Sequence, residues 1–113
     1  MELKTERERY ARHLENAVQR ATTALLSLPE VHRVSLFGSY AKGRRDLFTD
    51  LDFLVVMETE AGVVDRLRYL YGLLALPVDY DVVCYTPTEW DQMRHRPFWR
   101  HARREEIVLH ERG

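Results

Sequence analysis

Asp50 and Asp52 stand two residues apart at the head of an apolar run, Leu51 to Met57, and Asp79 and Asp81 repeat that spacing further along. Side chains at i and i+2 of a strand share a face, so each pair sets two carboxylates side by side. Anions this close repel one another and lose hydration. Unless an arginine neutralises them, a divalent cation is the natural counter-charge. Oxygen-only ligands with no Cys or His nearby suit Mg²⁺ rather than zinc. The alternative is a solvated turn at a strand edge, and Asp-x-Asp alone does not choose between the two. Gly38-Ser39 lies twelve residues before Asp50, at the end of another strand candidate. Glycine lets backbone approach a ligand closely, and a Ser hydroxyl with adjacent N–H groups can hold phosphate oxygens. A Gly-Ser pair also marks ordinary turns. The combination is more telling. A phosphate-type loop feeding a paired-carboxylate strand, with a further strand Asp beyond it, supplies the parts that phosphoryl and nucleotidyl transfer require.

Several elements must hold these residues in place. Leu3, Tyr10, Leu14, Ala17, Ala21, Leu25 and Leu28 recur at helical spacing, which predicts a helix over 3–28 closed by Pro29. Val31 to Phe37 alternates as a strand and stops at Gly38, and residues 38–49 read as a structured loop or a short turn of helix. Leu51 to Met57 is apolar almost throughout, as a central strand covered on both sides would be. A second helix carries Val63, Leu67, Leu70 and Leu74 on one stripe before Pro77, and Val78 to Tyr85 is the third strand. Thr86-Pro87-Thr88-Glu89 forms a capping box for a helix over about 87–95. Pro97 opens a further helical segment to about Arg104, and Ile107-Val108-Leu109 is an edge strand. The order αββαβα(α)β implies an α+β fold, one mixed sheet packed against helices. The organisation expected is a single domain over 1–113: N-terminal helix 3–28, motif-bearing core 31–90, and C-terminal helix and edge strand 91–113.

At 113 residues the chain can bury one core but leaves little for an additional acceptor-binding domain. A formal charge of −1 argues against nucleic-acid binding driven by neutralising phosphates, which needs a basic excess. Fifteen of the seventeen basic residues are Arg, which reads as compositional bias on solvated faces. The single Cys84 can form neither an intrachain disulfide nor a Cys-x-x-Cys knuckle, and it reads as a small core residue. No apolar run approaches the roughly 20 residues of a membrane span, and the first seven residues are too charged for a secretory signal. A reducing cytoplasm is the expected location. His13, His32, His95, His101 and His110 show no ligand spacing; Trp90, Trp99 and Phe98 read as helix-packing residues, and Lys42, Arg44 and Arg45 as solvated loop charges.

The stretch Gly38-Ser39-Tyr40-Ala41-Lys42-Gly43, six residues, then Asp50-Leu51-Asp52-Phe53-Leu54-Val55-Val56 resembles the signature of the nucleotidyltransferase superfamily that includes DNA polymerase β. The tail, Asp81-Val82-Val83-Cys84-Tyr85-Thr86-Pro87-Thr88-Glu89-Trp90 and then Ala102-Arg103-Arg104-Glu105-Glu106-Ile107-Val108-Leu109, resembles that of its minimal, single-domain members. The likeness spans roughly residues 31–110. It implies that Gly38 and Ser39 hold the β- and γ-phosphates of a nucleoside triphosphate and that Asp50 and Asp52 ligate Mg²⁺. Asp81 would complete a second metal site or take the proton from the attacking hydroxyl, with Asp79 as the alternate. Thr49 stands where members often have Ser, keeping the hydroxyl. The activity implied is transfer of AMP from ATP to a hydroxyl acceptor. Minimal members resemble antitoxins paired with a HEPN-domain protein, so the partner implied is such a polypeptide. The alternative is a non-catalytic antitoxin that neutralises a HEPN partner by contact, through the N-terminal helix and the Arg-rich stretch from Arg94 to Arg104. Modification of nucleic-acid ends is a weaker possibility.

Overall fold

The computed structural model describes residues 2–112 and runs α1 (Glu2–Leu26), β1 (Val31–Phe37), α2 (Gly38–Ala41), β2 (Leu51–Met57), α3 (Val63–Leu74), β3 (Tyr80–Tyr85), α4 (Pro87–Met93), α5 (Pro97–Ala102) and β4 (Ile107–Glu111). Met1, Gly113 and the side chain of Leu3, the first member of the expected stripe, lie outside the described residues. The strands form one mixed sheet in the order β3-β2-β1-β4. β1 is antiparallel to both its neighbours, and β2 and β3 are parallel, joined by the α3 crossover. The fold is α+β, as the pattern of elements predicts.

The apolar continuity of β2 has the expected cause. Phe53, Val55 and Met57 point into the larger core with Leu14, Ala17, Ala21 and Leu25 of α1 and Leu70 and Leu74 of α3. Leu54 and Val56 point to the opposite face, under Trp90 of α4 and Trp99 of α5. Each fully buried Leu, Val or Phe contributes about 1.5–3 kcal/mol, and both faces of β2 collect that gain. The two tryptophans are packing residues, as expected. Trp99 Nε1 donates to the Tyr85 hydroxyl at 3.0 Å, which satisfies its polar edge. Phe98 departs from the packing role. It is 60% exposed, with its ring edge-on to Phe37 at 6.1 Å.

Several element boundaries differ from the sequence expectation. α1 ends at Leu26 rather than residue 28, because residues approaching Pro29 are driven out of the helical region. β3 begins at Tyr80 rather than Val78, α4 and α5 end at Met93 and Ala102, and β4 reaches Glu111. The capping box at Thr86 is present in both directions: Thr86 Oγ1 accepts from Glu89 N at 3.1 Å and Glu89 Oε1 accepts from Thr86 N at 2.9 Å. On α3 the expected stripe is rotated. Val63 is 62% exposed and Arg66 is buried. The Arg66 guanidinium donates to both Glu89 carboxylate oxygens, at 2.7 and 3.2 Å, and its Nε to the Ala61 carbonyl at 2.7 Å, fastening α3 to α4. Arg33 does the same for β4: it is buried and donates to Ser35, Glu106 and Glu111. No helix among the described residues is long and apolar enough to cross a membrane.

Candidate active site

The strand register aligns the motif residues in one row. Phe37, the last residue of β1, pairs with Asp52 of β2, and Asp52 pairs with Asp81 of β3. Gly38 follows Phe37 directly, so a glycine and two carboxylates lie across three adjacent strands. Asp52 and Asp81 share the sheet face of Leu54, Val56, Val83 and Tyr85, at the strand end where Asp52 is half-buried and Asp81 exposed. Gly38 adopts a φ of +74°, and a Cβ there would collide with Asp52 Oδ2 and sit 3.1 Å from its Cγ. Both constraints select glycine. The Gly-Ser pair is therefore more than a plain turn: it starts α2, whose first N–H groups have no intrahelical acceptor.

The loop into β2 is tied down as tightly. Asp46 Oδ1 accepts from Phe48 N at 2.9 Å, Thr49 Oγ1 accepts from Asp46 N at 3.0 Å, and the Thr49 carbonyl accepts from the Tyr10 hydroxyl of α1 at 3.1 Å. Thr49 is fully buried, so its hydroxyl is a fixed part of the turn that delivers Asp50. Arg44 is paired with Asp46 at 2.7 Å. Arg45 lies 3.4 Å from the Tyr40 ring centroid and donates to the Tyr40 carbonyl at 2.7 Å, so it packs on the loop instead of standing free in solvent. Lys42 is exposed.

The carboxylates carry a shared electrostatic strain. Burial pushes the half-buried Asp52 carboxyl up to about 6, and the negative charges of Asp81 and Asp50 push in the same direction. None of the ion pairs among the described residues uses Asp50, Asp52, Asp79 or Asp81. Asp79 stands apart from the group around Asp52. It precedes β3, its carbonyl accepts from Leu51 N at 3.1 Å, and its charge is felt by Tyr10, whose phenol is raised by burial first and then by Asp79 and Asp50. The period-two expectation set Asp79 and Asp81 on one face. β3 starts only at Tyr80, as β2 starts only at Leu51, and of the two aspartates Asp81 alone adds to the charge felt by Asp52.

Residues 18–111 match the family model of the nucleotidyltransferase domain. The chain belongs to this family. Three solved structures share the fold of this nucleotidyltransferase domain. A protein from Sulfolobus solfataricus, provisionally assigned as a nucleotidyltransferase, superposes with a TM-score of 0.55 at 20% identity, over 96% of this chain and 86% of that one. A toxin–antitoxin structure with AMP-PNP gives 0.51 at 19% identity over 86% of this chain and 73% of that one. A mutant of the toxin–antitoxin pair MntA–HpeT gives 0.52 at 20% identity, over 86% and 72%. No curated protein matches the chain significantly.

The donor set of the nucleotidyltransferase domain fits a hard divalent cation held openly. Among the described residues, no three His, Cys, Asp or Glu side chains converge into a ready-made cage. Mg²⁺ is commonly bound by one or two carboxylates, with substrate phosphates and water completing its shell, and Asp50, Asp52 and Asp81 provide oxygen ligands of that kind. Ser39, next to Gly38 at the start of α2, is half-buried with no hydroxyl partner among the described residues. Sequence reasoning missed the supports behind this row: Tyr10, Tyr71, and the Arg66–Glu89 clamp. Tyr10 was visible only as one more apolar stripe residue. Tyr71 sits at helical spacing from Leu67 and Leu74, which does not reveal that its hydroxyl reaches the edge of β3.

Proposed function

We propose that residues 1–113 act as a Mg²⁺-dependent adenylyltransferase, moving AMP from ATP to a hydroxyl on a partner polypeptide, a HEPN-domain protein. The observation that carries this reading is the Gly38–Asp52–Asp81 row, in which a glycine opens space against a carboxylate that has no cationic side chain as partner. Asp50 and Asp52 hold the metal, Asp81 completes a second metal position, and Gly38 with Ser39 receives the β- and γ-phosphates. Bound metal would supply charge neutralisation for the triphosphate. The acceptor oxygen forms a bond to the α-phosphorus, the bond from that phosphorus to the bridging oxygen breaks, and pyrophosphate leaves. The acceptor proton passes to a carboxylate of the row, Asp81 being the more exposed candidate. Gly38 and Ser39 act by position, fixing the phosphate chain so that the leaving oxygen lies opposite the attacking one. The open side of the row gives a large acceptor access, and the likeness to toxin–antitoxin structures, one with AMP-PNP, supports both the partner class and the nucleotide. A reducing cytoplasm suits the lone buried thiol Cys84.

The same likeness favours a second reading, neutralisation of the partner by contact alone. Labelled ATP, Mg²⁺ and a candidate HEPN-domain polypeptide separate the two. Transfer predicts a labelled partner and loss of label with Asp50→Asn while the fold persists. If Asp50→Asn neutralises the partner as well as wild type does, contact is the mechanism. Absence of Mg²⁺-ATP binding by calorimetry at millimolar ligand overturns the site assignment.

A further inference from the structure

Tyr71 of α3 is half-buried with its ring packed against the larger core, and it carries a hydroxyl that packing alone does not use. Its hydroxyl oxygen accepts from the backbone N–H of Val82 at 3.1 Å. That bond crosses from α3 to β3, the edge strand of the sheet, and fixes the residue after Asp81. Its ring lies 5.1 Å from the Tyr80 ring at a tilt of 32°, so the phenol is held from both sides of Asp81 in the chain.

We infer that Tyr71 is a positioning residue for the site, fixing the backbone that carries Asp81 through the Val82 amide. This rests on the reading of Asp81 as a metal-binding carboxylate. A carboxylate on an edge strand has a neighbouring strand on one side only, and Asp81 is exposed, so without such a support its backbone is tied on one side only. Groups that orient metal-binding carboxylates in this way typically change metal affinity about 10–100-fold when removed. Phe in place of Tyr71 keeps the ring and removes the hydrogen bond from Val82 N.

The experiment is a titration of Mn²⁺ and AMP-PNP into the full chain, read by water-proton relaxation enhancement from the ternary complex, with thermal unfolding as a control. Tyr71→Phe should weaken Mn²⁺ in the ternary complex about tenfold. Tyr80→Phe, which removes the neighbouring hydroxyl, should leave it within about twofold. In an Asp81→Asn background Tyr71→Phe should have no further effect, a result that general loosening of α3 would not give. Equal Mn²⁺ affinity in wild type and Tyr71→Phe overturns the inference, as does an undiminished effect in the Asp81→Asn background. Failure of wild type itself to form the ternary complex overturns the reading of the site and the inference with it. If Tyr71→Phe does not fold, hydrogen exchange at the Val82 amide of the wild type decides: protection is expected, and exchange at the rate of an unbonded amide overturns the inference.

Discussion

Asp52→Asn should make the metal-free protein more stable at neutral pH. Burial, then Asp81 and Asp50, raise the native Asp52 carboxyl from an ordinary 3.8 to about 6, so the native state binds more protons than the unfolded chain between those values. Stability from this group is therefore greatest below about pH 4 and is lost as pH rises through 6. The displacement corresponds to at most ~3 kcal/mol. Asp52 is only half-buried, so screening by solvent reduces this to about 1–2 kcal/mol. Asn keeps the shape and removes the charge. In EDTA at pH 7.5 the variant should exceed wild type by that amount, a rise in Tm of roughly 3–5 °C per kcal/mol for a chain of this size. Near pH 4.5 the difference should shrink to well under half, because native Asp52 is then mostly protonated.

Mg²⁺ with nucleotide should reverse the order. Ligand at hundredfold excess over its Kd stabilises the native state by about 2.7 kcal/mol, more than the advantage of Asn, and the variant has lost a carboxylate with which to collect it. Chemical denaturation at pH 4.5, 6 and 7.5, with and without Mg²⁺ and AMP-PNP, covers both claims. A variant equal to or weaker than wild type in EDTA at pH 7.5 would refute the argument that the carboxylates strain one another in the absence of metal.

Gly38→Ala should cost about 1 kcal/mol for its positive φ and reduce transfer about 100-fold by displacing the Asp52 carboxylate, whereas Gly43→Ala, also at positive φ but with open space around it, should retain activity. Arg66→Ala should destabilise by about 1–3 kcal/mol, less than a fully buried pair because Glu89 is partly exposed. A double-mutant cycle with Glu89→Ala in urea should return a coupling of at least about 1 kcal/mol. Burial pushes the Cys84 thiol up to about 11, so at pH 8 Ellman's reagent should react with it only on unfolding; rapid labelling of the native protein would contradict its burial.

Much of this fold was legible because its elements obey local rules. β1 and β2 fall where alternation and apolar continuity set them, and the Thr86 capping box appears with both of its hydrogen bonds. The misreadings share a cause: tertiary partners override periodicity. Arg66 displaces Val63 from the buried stripe because Glu89, remote in sequence, offers a bidentate acceptor. Asp79 and Asp81 look equivalent by spacing, and only the point at which β3 joins β2 separates them. Phe98 lies on a helix whose other aromatic, Trp99, occupies the core, leaving Phe98 to the rim. The supports at Tyr10 and Tyr71 depend on hydroxyl contacts to backbone, which carry no pattern in sequence.

The division of the sheet explains why a strained carboxylate row is tolerated. One face of β2 is covered by α1 and α3 along its length, and the other is sealed by Trp90 and Trp99 over Leu54 and Val56. Asp52 occupies the one remaining position of that second face, at the strand end where burial is incomplete. Two positions further in, an unpaired carboxylate would meet the tryptophans and be driven to neutrality; two positions earlier, like Asp50, it lies before the strand and is exposed. Only at the end of the strand is a carboxylate rigid enough to be placed against Asp81 and Gly38, yet wet enough to remain ionised when a cation arrives. The packing that stabilises the sheet therefore also fixes how far from its core the site must lie.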